Sequence, residues 1–490
     1  MTTHRSWIRT QISLATHTVA ARAEGGLPGP ACPATVCPLS CTLFFHKTLT
    51  LTVAVIVAVY GWTCVPAASA ATLTESIHAA LAHNPGLQGA RARVEAARAA
   101  QVTARAHYWP TLVAGANYSL TDNPTQAFMM ALNRRAFDLG DPNLDFNNPD
   151  DTDHLRLTAG LRYPLFDPQR RTAQTVSRHG VTAEQFATAA YQNTLIYKVK
   201  EGYYRALQAR DHVQVQDDRI TGLQESLRVA RERFDAGTVI VTDVLNLEVQ
   251  VAQAREELIR AWHGFELALA ALNTAIGVDL VTAETLTAPE TTIPTLPTTD
   301  RRGVKRHPEL QAIAALLDIR QAEIRDARAA YAPTVSAFGS VDWDSDVSSD
   351  FERSYLVGVM AEWELFDGFR RRGQLRQARA QQAAARAKWD QARRELQLAL
   401  QQAQIQAKEA YERLEVTRAA AESAAQALTL TRDQYVQGAA TLADVLTAQS
   451  GFTSMQTRRT SAFYDHLTAL ANVERAQGQL IDRYREENTP

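Results

Sequence analysis

The sequence predicts an α+β membrane protein: a β-barrel to which each chain gives four strands, continuous with a tube of very long helices. Three observations predict it. The chain repeats itself internally. It holds four period-two segments of bilayer-crossing length. It also holds two helical stretches too long for any globular core.

The repeat organises the rest. His83-Asn84-Pro85 recurs as Arg306-His307-Pro308, and Tyr108-Trp109-Pro110-Thr111 recurs as Tyr331-Ala332-Pro333-Thr334, both at an offset of 223 residues. Tyr163-Pro164-Leu165-Phe166-Asp167 recurs as Trp363-Glu364-Leu365-Phe366-Asp367 at an offset of 200. Phe234-Asp235-Ala236-Gly237 matches Tyr435-Val436-Gln437-Gly438, and Asp243-Val244-Leu245 matches Asp444-Val445-Leu446, both at 201. Two repeats, 71–276 and 301–485, explain these matches. A Thr- and Pro-rich connector, 277–300, joins them, and 486–490 is a tail. Each repeat reads helix, strand, loop, strand, long helix, tight turn, helix.

The strands show as alternation. In 154–167, Leu155, Leu157, Ala159, Leu161 and Tyr163 share one face, while Arg156, Thr158, Gly160 and Arg162 share the other. In the copy, Tyr355, Val357, Val359, Ala361 and Trp363 are apolar; Glu362 and Glu364 lie opposite, with Leu356, Gly358 and Met360. The preceding strands, 110–120 and 333–343, alternate more weakly. Each spans about 10 residues, the length of a tilted membrane strand. Leu157, Leu161, Tyr163, Val357, Val359 and Trp363 are therefore expected to face lipid, and Arg156, Arg162, Glu362 and Glu364 a wet lumen. A soluble hairpin with one buried face fits any strand taken singly.

The helices favour the membrane reading. Between Pro168 and Phe234 there is no proline, and Asp167-Pro168 is an N-cap and first-turn pair. Gly237 supplies the left-handed C-terminal position. Such a helix is roughly 100 Å long. Its copy runs from Gly368 to about Gln437, and Ile220, Leu223, Leu227, Ala230 and Phe234 mark a coiled-coil seam. The helices flanking each long one, 86–108 with a short predecessor from Thr74 and 243–276, together approach its length.

Four strands cannot close a barrel in lipid, because open edges there stay unpaired. Two chains would give eight strands and a filled interior; three give twelve and a passage. A homotrimer follows as an expectation.

Residues 1–70 read as a leader. Leu49–Val59 is an apolar run after His46 and Lys47, and Ala68-Ser69-Ala70 is a small-x-small cleavage pattern, so 41–70 forms a signal peptide cut near Ala70-Ala71. All four cysteines, Cys32, Cys37, Cys41 and Cys64, precede the cut, which excludes disulfides and thiol catalysis from the mature chain. Its net charge of -5 and the absence of a basic, aromatic-interleaved patch give no sign of nucleic acid. No nucleophile, phosphate-loop or metalloprotease motif appears, and neither cofactor nor metal is expected. The nine mature histidines read as scattered surface residues.

The order of these parts, with Arg-x-x-aromatic-x-x-Gly turns at Arg231–Gly237 and Arg432–Gly438, resembles the TolC-like outer-membrane efflux protein family over 71–485. The resemblance implies a trimeric twelve-stranded barrel in the outer membrane and a periplasmic helical tunnel. It implies a periplasmic adaptor (membrane fusion) protein and an inner-membrane RND or ABC-type pump as partners. It implies passive export of drugs, metal ions or protein in tripartite efflux or type I secretion. It places a gate at the hairpin turns: Asp444 in a carboxylate ring, Thr447 one turn on where a second aspartate is usual, and Tyr435 and Asp243 for a lock. It also directs the turns Gly237-Thr238 and Gly438-Ala439 at the adaptor. The plain structural reading of Asp243 and Asp444 is that each favours a helix N-terminus. The segment 121–153, rich in aspartate against Arg134 and Arg135, is expected to be the larger extracellular loop, with 344–353 its counterpart. A trimeric outer-membrane adhesin with a coiled-coil stalk is the rival reading. Its strands would lie together at one end of the chain, whereas these lie in two pairs.

Overall fold

The computed structural model describes residues 72–138, 147–288, 303–346 and 350–486. The leader with its four cysteines and cleavage site, Asp141 and Asp145 of the acidic loop, connector residues 289–302 and tail residues 487–490 lie outside them.

Helices α1 (Leu73–His83) and α2 (Pro85–Ala106) open the first repeat, followed by β1 (Thr111–Thr121), α3 (Pro124–Asn133), β2 (Thr152–Phe166), α4 (Pro168–Asp235) and α5 (Val241–Ile276). The second repeat runs α6 (Gly303–Arg306), α7 (Pro308–Ala329), β3 (Thr334–Ser345), β4 (Glu352–Glu362), α8 (Arg370–Val436) and α9 (Leu442–Gln477), and α10 (Leu480–Glu486) ends it. The repeated His/Pro motif is a helix break. Asn84 stops α1, its side chain accepts from Leu87 N to cap α2, and Pro85 takes the first turn, where no amide is needed. Asp167 caps α4 by accepting from Gln169 N at 2.9 Å. No described helix is long and apolar enough to cross a membrane.

The four strands form one antiparallel sheet in the order β1-β2-β3-β4. Both outer strands keep an unpaired edge within the chain. Register places Arg156 opposite Asp344, Leu157 opposite Trp343 and Gly339 opposite Val357, so Arg156, Arg162, Asp342, Asp344 and Glu362 share one face, with Val113, Phe338, Leu356 and Met360 among them, and the other face is mostly apolar. Pro164, which cannot donate to a ladder, sits at the bulge in β2.

The long helices are 68 and 67 residues. α4 packs against α2 and α5, α8 against α7 and α9, and α4 also meets α7 and α9, which joins the repeats. Three apolar clusters hold the bundle. One lies at mid-length around Ile77, Leu87, Tyr203, Phe265 and Leu272. One lies at the turns around Ile220, Leu223, Leu247, Tyr435 and Val445. The third, along α8 and α9, uses Ala403, Ala407 and Ala476 with Leu400 and Val473, where small side chains let helices approach closely.

Several expectations need correction. Phe234 leaves the seam and is exposed in the last turn of α4, just before the bonds that close the helix at Gly237. Trp363 and Glu364 lie beyond the end of β4; the Trp363 indole donates to Tyr331 O at 3.1 Å, and Arg370 donates to Glu364 at 2.6 Å. The segment 121–153 is not all loop, since Asn123 caps helix α3 through Thr125 N and Gln126 N. His154, His307 and His466 are buried rather than on the surface, each held by a neighbour: Asp344, the carbonyl of Arg475 and the ring of Tyr411.

Candidate functional site

Two regions carry the candidate residues: the hairpin turns and the sheet. At the turns, Gly237 (φ 70°) and Gly438 (φ 81°) adopt the left-handed conformation predicted from sequence. Their closing bonds match: Thr238 N donates to Arg233 O at 2.9 Å and Ala439 N to Gln434 O at 2.8 Å. Gly237, Thr238, Gly438 and Ala439 are all exposed. The motif arginines staple each hairpin. Arg231 donates to Glu248 at 2.7 Å, and its counterpart Arg432 donates to Gln449 at 2.6 Å.

The helices after the turns begin differently. Thr441 and Asp444 form a capping box: Asp444 Oδ2 accepts from Thr441 N at 2.9 Å and from Thr441 Oγ1 at 2.6 Å, while Asp444 N donates to Thr441 Oγ1 at 3.3 Å. These bonds hold the Asp444 carboxyl below the usual carboxylate range. At the same place in the first turn stands Ile240, with no side-chain cap, so Asp243 has no hydroxyl to hold it. Thr447 turns its hydroxyl back onto Ala443 O at 2.8 Å.

Tyr435 is buried, and Arg233 lies 5.0 Å over its ring while donating to its carbonyl at 2.5 Å. Burial pushes the phenol up, the Arg233 charge opposes this, and Asp243 adds to it. Its hydroxyl finds no partner among the described residues. Tyr435, Asp243 and Arg233 thus share one neighbourhood, whereas Asp444 and Thr447 spend hydrogen bonds on their own helix. Arg233 and Thr441 were not singled out from sequence. The Thr-x-x-Asp spacing at Thr441 was a legible capping signal; nothing in the sequence marked Arg233 among neighbouring arginines.

On the sheet, Leu157, Leu161, Tyr163, Val357 and Val359 are all exposed on one face, as is Trp363 just past it. On the other, Arg156 is already paired with the buried Asp344 at 2.6 Å, and Thr158 donates to Asp342 at 2.6 Å. Arg162 and Glu362 are exposed there. Arg134, next to α3, donates to Asp153 O at 3.1 Å and lies 3.2 Å from Asp346, which ties the larger loop to its counterpart. No described cluster of three His, Cys, Asp or Glu side chains is placed to hold a metal.

Comparison with known proteins agrees with this architecture. The model of the family described as outer membrane efflux protein matches residues 76–278 and 303–479. Protein CyaE of Bordetella pertussis is 31% identical over 351 residues, 68% of this chain and 69% of its own length. Alkaline protease secretion protein AprF of Pseudomonas aeruginosa is 24% identical over 420 residues, 83% of this chain and 84% of its own. Among solved structures, the Campylobacter jejuni CmeC outer membrane channel superposes with a TM-score of 0.72 at 16% identity, over 85% of this chain and 89% of that one. The outer-membrane channel OprN gives 0.71 at 20% identity, over 83% and 90%. The break in the family match, 279–302, falls at the connector between the two repeats. The chain belongs to the outer membrane efflux protein family and is an outer-membrane exit duct.

Proposed function

We propose that three copies of this chain form one duct, each supplying four strands of a twelve-stranded barrel and a third of the helical tube. The observation that supports this is the open sheet: both edge strands unpaired within the chain, one face apolar and exposed, the other charged. Lipid tolerates neither an open edge nor a charged face, and closure around a wet lumen removes both. Native mass measurement in detergent should give a threefold species; a monomer alone rejects the assembly.

The turn-bearing end points into the periplasm and meets the adaptor at Gly237-Thr238 and Gly438-Ala439. An inner-membrane pump of the RND or ABC type drives export, and this chain conducts passively. Bulky substitution at both glycines should abolish export while leaving the assembled channel intact; normal export would remove the docking site. At the same end Asp444 of three copies forms a negative ring that favours cations, with Tyr435, Arg233 and Asp243 beside it. The leader is removed near Ala70-Ala71, which N-terminal sequencing of the mature protein checks.

A polypeptide cargo is the favoured reading, and its support is the likeness to AprF, named for alkaline protease secretion, along most of both chains. Deleting the gene should remove a protein from the culture medium. An unchanged medium with raised drug sensitivity would assign the duct to small-molecule efflux.

A further inference from the structure

The barrel-proximal end of α8 carries a charge imbalance that nothing in the duct reading uses. Between Arg370 and Arg394 stand eight arginines and one lysine against a single acid, Asp390. Arg372, Arg379, Arg386 and Arg393 recur every seventh residue, so they form one straight row along the helix, and all four are exposed. Among the described residues, the only carboxylate within ion-pair reach of this row is Asp390, 3.5 Å from Arg386. Arg386 and Arg393 also lie 5.0 and 5.9 Å over the Trp389 ring, but the rungs, about 10 Å apart, form no stabilising pair with one another.

The repeat shows which way the row looks. Arg170 stacks on Tyr108 at 5.0 Å as Arg371 stacks on Tyr331 at 5.1 Å, which fixes the offset between the long helices at 201. The counterparts of the first three rungs are Arg171, Arg178 and Gln185, and all are exposed although α4 has helices of both repeats packed beside it. The first three rungs therefore occupy a free face of the helical layer, not a seam between helices, while the counterpart of the fourth, Gln192, is half-buried. Gln374, Gln377 and Gln381 lie roughly 140–200° round the helix from Arg372, and they line a cavity together with Thr334 and Glu362. Alternation puts Thr334 and Glu362 on the sheet face of Arg156 and Arg162. On the duct reading, on which this step rests, that face is the lumen. The arginine row then lies on the outer wall of the tube.

What covers it must be an extended polyanion. The row is about 32 Å long, whereas the lipid headgroup layer is roughly 5–8 Å deep, so at most the first rung reaches phosphates. The turn end of α8 lies about 65 Å beyond Arg393, which removes the row from the adaptor-docking turns. On the neighbouring helices at this level Glu95 is engaged by Arg98, Glu184 by Arg93 and Glu323 by Arg320, while Asp318 lies 4.0 Å from His179 and Asp326 lines the cavity with Gln374 and Gln377 on the opposite side of α8, so none of them pairs with the row. We propose that the row docks the carboxylates of the cell-wall glycopeptide mesh that a periplasm-crossing tube must traverse. Each exposed pair is weak and screened by salt, but four rungs on each of several copies add by avidity.

The test is cosedimentation of the full-length, detergent-purified protein with isolated cell-wall sacculi. Binding should fall about tenfold in the variant R372Q/R379Q/R386Q/R393Q and return in the four-lysine variant, since charge rather than fork geometry carries it. Channel conductance in planar bilayers should be the same in all three. Equal sedimentation of the glutamine variant overturns the proposal. So does preference for anionic phospholipid vesicles over sacculi, or a shift toward cation selectivity in the glutamine variant, which would put the row inside the tunnel. A parent protein that binds sacculi but forms no channel sinks the duct reading and leaves the row its partner.

Discussion

At Asp444 one carboxylate serves a helix end and, in the proposed assembly, an ion path. Substitution separates the two. Asp444→Ala should lower cation selectivity and weaken block by multivalent cations in planar bilayers. Thr441→Ala keeps the charge but removes the N-cap hydroxyl, and should cost about 1 kcal/mol of stability with selectivity retained. Equal loss of selectivity in both would reduce Asp444 to a capping residue. The sign with pH follows from its depressed pKa. The carboxylate's contribution is complete above the unfolded value, about 3.9, and is lost only as pH falls through the lower folded one. In the ring the three carboxylates oppose one another's ionisation, so a fall in selectivity already at pH 5 marks the ring, and selectivity unchanged from pH 7 to pH 5 marks an isolated, capped carboxylate. Gly277 is a different kind of constraint. It lies at φ 95°, and a Cβ there would come within 3.0 Å of Asn84 Cα and Pro85 Cδ. Gly277→Ala should destabilise by more than about 1 kcal/mol in thermal unfolding, since both the backbone and the contact are wrong for alanine. Single residues were legible where local rules govern them, as at Gly237, Gly438 and Asp167. Arg233 over Tyr435 and His154 against Asp344 were not, because each contact joins positions far apart in the chain.

At the level of elements, the long helices and the strands fell where periodicity and caps put them, because those signals are local, while the short α6 and α10 carried no signal that was read. The errors have separate causes. Composition stood in for pattern at 121–153, where aspartates hid the Asn123-Pro124 start of α3. Apolar alternation was carried past Glu362 into Trp363 and Glu364, where the chain already turns toward α8. The α8–α9 seam supplies a packing test. Ala407 is fully buried in the third cluster. Ala407→Leu should cost roughly 1–3 kcal/mol by forcing the helices apart, read as a lower unfolding temperature. The left-handed pair Gly368-Phe369 marks where one residue was added between the repeats, turning the offset of 200 in the strands into 201 in the helices.

For the whole molecule, the repeat predicts how copies join. β2 pairs β3 with Ala159 opposite Val341. Carried by the offsets of 200 and 223, the same register places Val359 of one copy opposite Tyr118 of the next, with apolar residues on the same side of both strands. Since no cysteine follows Cys64, Val359→Cys with Tyr118→Cys should oxidise into covalent multimers, while a partner moved one residue, Val359→Cys with Asn117→Cys, should not. Reversed yields would refute the register. Copy number could not be read inside one chain; it entered only through what lipid forbids. One consequence concerns the unequal starts of α5 and α9. Three copies would place six helix starts round the mouth, alternately latched by Thr441 with Asp444 and unlatched at Ile240. Such a mouth loosens at every second position, so its opening has threefold rather than sixfold symmetry. Amide exchange should then run faster at Thr242–Val244 than at Ala443–Val445, and equal rates would return the six positions to equivalence.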